Sequence, residues 1–407
     1  MASRSAGNTQ SRRKPKLRSA GRGWRLIDSE LDGVLLGTVI ALLVIGLLMM
    51  FSASYPAAIE DGQKGTFYAS RQMVFAAAGL VGMGILSVVN YHIFEKLWVS
   101  GTGFAVSLLL LIAVLIPGVG KTVNGATRWI GVGTDANGNG GITFQPSELT
   151  KITIVLFFAM LIVRNGHRMN SFLYGVVPYL AMLAVVAGLM MAEPHLSGTL
   201  IIGVLAITLI FVGGAKPSHL GILILIGAVG LGLIVLYLMH SKGIGYFETR
   251  FKSWLDPFNE ELMQDETWQT CQSLIAIGSG GMFGLGLGAS RQKYQYLPEA
   301  QNDFVFAVLC EEFGFVGAVT VILLFCLLIF RGFYIAAKAK DKFGMLVAVG
   351  FTMHIGLQAL LNIAVVSNAI PNTGISLPFF SYGGTALMMQ LCEMGVLLNI
   401  SRSAKLE

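Results

Sequence analysis

Apolar stretches long enough to cross a membrane recur along the chain. A transmembrane helix needs about 20 predominantly apolar residues, and by that rule the pattern predicts about ten spans. They cover approximately 33–54, 72–90, 102–118, 149–164, 174–192, 198–214, 219–239, 304–330, 343–367 and 380–399. Glycines inside spans, such as Gly79 and Gly82, favour close helix packing. We therefore predict an all-α, polytopic membrane protein.

Short basic segments between the spans predict the orientation. They contain Arg164, Arg168, Lys216, Arg331 and Arg402. Basic residues in short loops mark the cytoplasmic side, and an even number of spans places all of these loops on that side. We expect a multi-pass protein of the cytoplasmic (inner) membrane with both termini in the cytoplasm. Three longer segments, about 55–71, 119–148 and 240–303, then lie on the outer side.

Composition supports a membrane protein and suggests three regions. The 407 residues are 54% hydrophobic and only 12% charged, against about 25% charged in soluble domains. We predict a disordered, basic cytoplasmic tail over 1–30, a transmembrane domain over 31–402 and a short cytoplasmic tail over 403–407. The basic tail resembles a nucleic-acid arm, but directly before a span it suits an anionic lipid surface. We therefore expect the membrane, and no nucleic acid, as its partner.

The outer segment 240–303 is too long for a simple connector, and such loops are usually functional. Within it, Ser273–Gly278 is apolar but too short to span a membrane, which predicts an interfacial or re-entrant helix. The glycine-rich stretch Gly278–Gly288 then turns the chain back. The four cysteines form no CxxC pair, so we interpret them as free thiols.

Two polar motifs precede spans on the outer side. Gln145–Lys151 predicts a helix start, with Ser147 as a cap and Glu148 in the first turn. Glu148 and Lys151 lie on one helical face and can pair. The pair is either purely structural, or Lys151 or Arg128 also binds a diphosphate. The second motif, Glu193–Thr199, is most simply a tight turn. Glu193 and His195 are also candidates for lining a site, although their spacing is not that of metal ligands.

The third motif, Leu297–Phe306, places Asp303 at the start of an apolar run. One interpretation is that Asn302 or Asp303 caps a helix. Ionised groups at a membrane boundary are costly without a function, and further charges surround this position: Lys293, Glu299, Glu311 and Glu312. This favours a functional site. The segment 368–384 is rich in helix breakers, and we expect it to fold against the same site.

Together these motifs resemble the SEDS family of FtsW, RodA and SpoVE over about residues 28–402. The matching residues are Asn124–Ala126, Arg128–Trp129, Gln145–Glu148, Lys151, Gly278–Gly288, Leu297–Glu299, Asp303–Phe304, Glu311–Gly314 and Pro371–Gly384. Phe51–Ser54 and Tyr296–Ala300 are more similar to the FtsW and SpoVE branch than to RodA. The chain departs from the family pattern in Gln301–Asn302, where His-Thr is usual, and in Pro194–Gly198, where Pro-Asp-Leu-Gly is common. These changes weaken the expectation of an imidazole beside Asp303 and of a carboxylate from the second loop.

The resemblance implies a peptidoglycan glycosyltransferase that polymerises lipid II at the outer face of the membrane during division or sporulation. It implies a class B penicillin-binding protein as a partner, together with other division proteins. It also implies that Asp303 is the catalytic base. The substrate-binding candidates are Arg128, Trp129, Glu148, Lys151, Lys293 and Glu299. No motif demands a cofactor, although a divalent cation (Mg²⁺ or Mn²⁺) at the diphosphate stays open.

Two other functions fit parts of the sequence. A lipid II flippase would use intramembrane charges and broken helices, but the chain has no clear internal repeat. A non-catalytic division scaffold would use the tail and loops, but it gives Asp303 and the acidic cluster no role.

Overall fold

The computed structural model describes residues 31–123, 126–132, 142–219, isolated positions between 221 and 236, 254–258 and 267–404. Its helices are α1 (Gly33–Glu60), α2 (Phe67–Val88), α3 (Leu97–Val114), α4 (Pro146–Asn165), α5 (Phe172–Gly175), α6 (Val177–Ala192), α7 (Leu196–Val212), α8 (Trp268–Ser279), α9 (Val305–Lys338), α10 (Lys342–Val366) and α11 (Gly384–Ser403). The tail 1–30 and the motif residues Asn124 and Gly125 lie outside the described residues.

The helices confirm the predicted all-α membrane architecture. Nine of the ten predicted spans contain a described helix; the seventh, 219–239, lies largely outside the described residues. Six described helices are long and apolar enough to cross a membrane, and α6 and α7 are shorter apolar helices. In the interfacial segment, α8 confirms the predicted short helix.

Helices α4 and α10 form the centre of the bundle. In each of these helices, 72% of an 18-residue apolar stretch is buried inside the protein, against 28% in α2 and in α3. The outer helix α2 packs on α11 through small residues: a Cβ at Gly79 would lie 2.6 Å from Leu391 Cδ1, and one at Gly82 would lie 2.8 Å from Cys392 Sγ. The predicted close packing at these glycines is therefore confirmed.

Between α3 and α4 the chain forms a small antiparallel sheet, which the sequence analysis did not predict. Its strands are β1 (Gly120–Val123), β2 (Ala126–Val132) and β3 (Ile142–Phe144), in the order β1-β2-β3. The register pairs Lys121 with Trp129 and then Thr122 with Thr127, so that Arg128 has no partner on β1. Such a bulge redirects the side chain of the extra residue.

A sharp kink divides α9 at Gly314, where the backbone adopts φ 65° and ψ −165°. The turn after α8 pairs with the kink: Leu285 N donates to Glu311 O at 2.9 Å, and Phe315 N donates to Gly281 O at 2.8 Å. A Cβ at Gly314 would lie 2.3 Å from Gly284 N. The kink therefore needs glycine both for its φ and for the approach of this turn.

We expect Gly314→Ala to destabilise the protein more than a helical glycine substitution of the same kind. The backbone conformation at Gly314 is populated almost only by glycine and costs about 1–3 kcal/mol for a residue with a Cβ, and the clash with the backbone of Gly284 adds to it. Gly84→Ala is the matched control, because a Cβ there has no heavy atom within 4 Å. Thermal unfolding in detergent measures both variants, and equal melting temperatures would contradict the role of the kink.

At the end of the bundle where α1 begins and α9 ends, ion pairs join the helices. Asp32 caps α1 by accepting a hydrogen bond from Leu35 N. Its carboxylate also forms an ion pair with Arg331, whose Nε lies 2.7 Å from Asp32 Oδ2. Asp341 caps α10 and accepts a hydrogen bond from the hydroxyl group of Tyr91. The predicted site residues lie at the opposite end.

Candidate active site

Asp303 is not the cap of α9. The N-cap is Phe304, and no side chain makes a capping hydrogen bond there. Within the described residues, no group donates a hydrogen bond to the Asp303 carboxylate, and the residue is half-buried. The capping interpretation is therefore wrong, and the carboxylate is free to act on another molecule.

The irregular segment 367–383 packs against Asp303, as predicted. Asn362 Nδ2 donates to the carbonyl oxygens of Asp303 at 2.7 Å and of Ile375 at 2.6 Å. A Cβ at Gly374 would lie 3.2 Å from Asp303 Oδ2. Ser381 Oγ also donates to Asn302 O at 2.6 Å. These contacts fix the backbone at Asp303 through neighbours in α10 and the segment, and they leave its carboxylate unbound.

The surroundings of Asp303 shift its acidity. Burial raises the pKa of Asp303 to about 6; the nearby Glu299 carboxylate adds to the rise, and the Arg128 guanidinium opposes it. A pKa near the working pH suits a general base, which must be ionised and still bind a proton well. The amide of Asn302 donates to the Glu299 carboxylate, so Glu299 is anchored on the same turn.

The bulge in β2 brings Arg128 to the break between α6 and α7. Its Nε donates to Glu193 O at 3.3 Å, and a terminal guanidinium nitrogen donates to Pro194 O. Because both acceptors are neutral carbonyls, the positive charge of Arg128 is not neutralised by these bonds. Trp129 follows it in β2 and is half-buried.

Glu148 and Lys151 form a buried ion pair in the first turns of α4, with Lys151 Nζ 2.8 Å from Glu148 Oε1. Lys151 Nζ also lies 3.3 Å from Gln358 Oε1, and the Gln358 amide donates to the Ser376 carbonyl at 3.0 Å. The pair is thus connected to the segment that packs on Asp303. The prediction that Ser147 caps α4 is wrong: the N-cap is Gln145, and it makes no side-chain capping bond.

Lys293 lies in a different cluster. It is buried, and its Nζ contacts Glu312 Oε1, Ser52 Oγ and Gly288 O, each at 2.8 Å. Glu311 binds the same loop, accepting from Arg291 N at 2.9 Å and from the hydroxyl of Ser290. Glu311 and Glu312, which the sequence placed among the charges around Asp303, therefore hold the loop 285–293 against α1 and α9. In this arrangement the donors of Lys293 are engaged by the protein itself.

Comparison with known proteins identifies the family of the chain. The model of the FtsW, RodA and SpoVE family, described as cell cycle protein, matches residues 33–406. The chain belongs to this family.

Relatives in the FtsW/RodA/SpoVE family cover nearly the whole chain. It is 41% identical to the stage V sporulation protein E of Bacillus subtilis (strain 168), over 92% of this chain and 98% of that protein. It is 37% identical to the probable peptidoglycan glycosyltransferase FtsW of Geobacter sp. (strain M18), over 91% and 96%. Among solved structures, a chain of a peptidoglycan synthase complex has a TM-score of 0.72 at 27% identity, over 93% of this chain and 99% of that one. Thermus thermophilus RodA gives 0.65 at 27% identity, over 93% and 98%.

The side chains that the structure describes do not form a metal site by themselves. Among the residues that the structure describes, no group of three His, Cys, Asp or Glu side chains could hold a metal ion. A divalent cation would need most of its oxygen ligands from a bound diphosphate, since Mg²⁺ is usually bound by one or two carboxylates plus phosphates.

The structure adds residues that the family motifs did not identify. Asn362 positions Asp303 by donating to its carbonyl oxygen, yet it lies outside the family motifs and carries no sequence signal for this role. Glu193, considered only as a site-lining candidate, is buried beside Arg128 and supplies a carboxyl group to the loop where the family's usual aspartate is absent. His195 is also buried, and its Nε2 lies 3.3 Å from the side-chain amide nitrogen of Gln145.

Proposed function

We propose that the chain is a peptidoglycan glycosyltransferase that polymerises lipid II, with Asp303 as the general base. The observation that carries the proposal is the Asp303 carboxylate: it caps no helix, accepts no hydrogen bond from any described residue and lies within electrostatic reach of Arg128. The full-length similarity to a probable peptidoglycan glycosyltransferase supports the reaction class.

In the proposed reaction the acceptor is the C4 hydroxyl of the N-acetylglucosamine of one lipid II molecule. Asp303 removes the hydroxyl proton as the oxygen attacks the anomeric carbon of the donor sugar, with inversion. The bond from that carbon to the undecaprenyl diphosphate breaks, and the diphosphate leaves with its electron pair. Arg128, whose hydrogen bonds go to neutral carbonyls, offers its positive charge to the leaving group, and we propose that Trp129 and Glu299 contact the substrate. Lys151 and Lys293 are paired with Glu148 and Glu312, and in this proposal they stabilise the fold around the site.

We further propose that the Asp303 end of the bundle faces outward and that both termini are cytoplasmic. Basic residues at the other end support this orientation: Arg164 ends α4, Lys338 ends α9 and Arg402 ends α11, as the positive-inside rule requires. An outward site would meet lipid II on the outer face of the cytoplasmic membrane. A class B penicillin-binding protein is the proposed partner, supported by the likeness to a chain from a peptidoglycan synthase complex. Other division proteins are proposed to assemble with the pair.

The decisive test of the activity uses the purified protein with its transpeptidase partner and labelled lipid II. We expect glycan polymer that grows with time and disappears on digestion with a muramidase. In sealed vesicles, movement of labelled lipid II across the bilayer without polymer would instead favour a flippase. Neither product nor movement would favour a scaffold.

The pH dependence of polymerisation should report Asp303. The ionised form is the active base, so its raised pKa moves the acid limb of kcat/KM, which reports the free enzyme, from near pH 4 to near pH 6. Below pH 6 we expect kcat/KM for lipid II to fall about tenfold per pH unit. Melting temperatures measured over the same pH range control for unfolding. A limb that stays near pH 4 in folded protein would contradict a desolvated base.

A further inference from the structure

The carboxyl group of Glu193 is buried without a partner. Glu193 follows α6 directly and is 1% exposed, and neither carboxyl oxygen has a hydrogen-bond partner in the described part of the chain. Buried polar groups are normally hydrogen-bonded, and buried charges are normally paired. An unpaired buried carboxyl group at a break between two spans therefore indicates a function of its own.

Arg128 of β2 contacts the same turn but does not bind this carboxyl group. Its two hydrogen bonds go to the carbonyl oxygens of Glu193 and Pro194. The guanidinium is nevertheless close enough to interact electrostatically with both Glu193 and Asp303. The charge of Arg128 is thus shared between two carboxyl groups and any anion that enters the site.

We propose that Glu193 is a positioning residue that acts through Arg128 and controls how strongly this guanidinium binds the diphosphate of the lipid-linked donor. As a neutral acid, Glu193 leaves the charge of Arg128 to the diphosphate. As a carboxylate, it competes with the diphosphate for that charge. The inference rests on the proposed function, because the diphosphate belongs to the donor substrate.

The charges around the turn place this switch above neutral pH. Burial raises the pKa of Glu193 to about 8, against the opposing effect of Arg128. Burial lowers the pKa of His195, on the same turn, to about 3, so the imidazole stays neutral. Asp303 is ionised above about pH 6, and on α4 Glu148 and Lys151 are paired with each other. Between pH 7 and pH 9, Glu193 is therefore the described carboxyl group beside Arg128 that changes charge.

The test is the KM for lipid II between pH 7 and pH 9, with kcat measured separately, for the purified protein and its partner. In the parent protein we expect KM to rise by at least about fivefold over this range, the lower end of typical couplings between two sites, while kcat changes less. Glu193→Gln cannot ionise, so its KM should lose this rise. Glu193→Asp keeps a titratable group and should keep it. The matched control is Glu60→Gln, which removes an exposed carboxylate at the end of α1 and should leave the profile of the parent protein.

A rise in KM that persists in Glu193→Gln would overturn the inference, and so would a pH-independent KM in the parent protein. A merely structural role predicts loss of melting temperature and a uniform loss of activity, with an unchanged pH profile. The proposed function fails separately, because then the parent protein makes no polymer at any pH. If Glu193→Gln does not fold, the parent protein and Glu193→Asp still test the inference. The KM for lipid II must rise between pH 7 and pH 9 in both proteins.

Discussion

Replacing Asp303 with Asn should reduce lipid II polymerisation by about 10²–10⁴-fold, the usual contribution of a general base. The amide has nearly the same shape but cannot accept the hydroxyl proton. The loss should appear in kcat, with KM for lipid II changed little, because Arg128 and the rest of the site remain. Polymer formed by the purified variant and its partner, compared with the parent protein at the same pH, measures the effect.

The variant should remain folded. Asp303 is held through its carbonyl oxygen, which accepts from Asn362, and its carboxylate binds no described group. Asp61→Asn is the matched control, because Asp61 is an exposed carboxylate that ends α1 and should leave polymerisation unchanged. Polymer at the parental rate from a folded Asp303→Asn protein would remove Asp303 as the base and with it the proposed mechanism.

The hydropathy of the sequence located the helices well because a membrane imposes the same two conditions on nearly every span. Backbone groups must be bonded within the segment, and side chains facing lipid must be apolar. The periodic apolar stretches therefore predicted α1 to α4, α6, α7 and α9 to α11, with shifts at the ends. α1 continues to Glu60, six residues beyond the predicted end at 54, through a segment that is still mostly apolar.

The site was only partly predictable, because its geometry depends on contacts between distant segments. Asp303 stood out as an acid at a membrane boundary, but its freedom from capping depends on the helix starting at Val305. The sequence pattern did not predict the sheet around Arg128, because its strands are short and contain glycine and charged residues. The burial of Glu193 depends on how α6, α7 and β2 meet. Lys293 seemed close to Asp303 in sequence, yet the turn after Gly288 directs it to Ser52 on α1.

Removing the Lys293 side chain should unfold the region around α9 before it affects substrate binding. Lys293→Ala leaves the Glu312 carboxylate buried without its cation; the side chains of the pair are 3% and 0% exposed. Breaking such a pair typically costs about 3–5 kcal/mol. We expect a large drop in melting temperature in detergent, and in the surviving folded protein a KM for lipid II close to that of the parent.

A double variant separates this structural role from diphosphate binding. Lys293→Met combined with Glu312→Gln removes both charges, so it should melt above Lys293→Ala, because no unpaired charge stays buried. The exposed Lys340 is the matched control, and Lys340→Met should change neither measurement. If Lys293 instead binds the diphosphate, Lys293→Ala and the double variant will both raise KM while melting close to the parent protein. The buried contacts of Lys293 with Ser52, Gly288 and Glu312 argue for the first outcome, since an ammonium group offers three donors and all three are engaged.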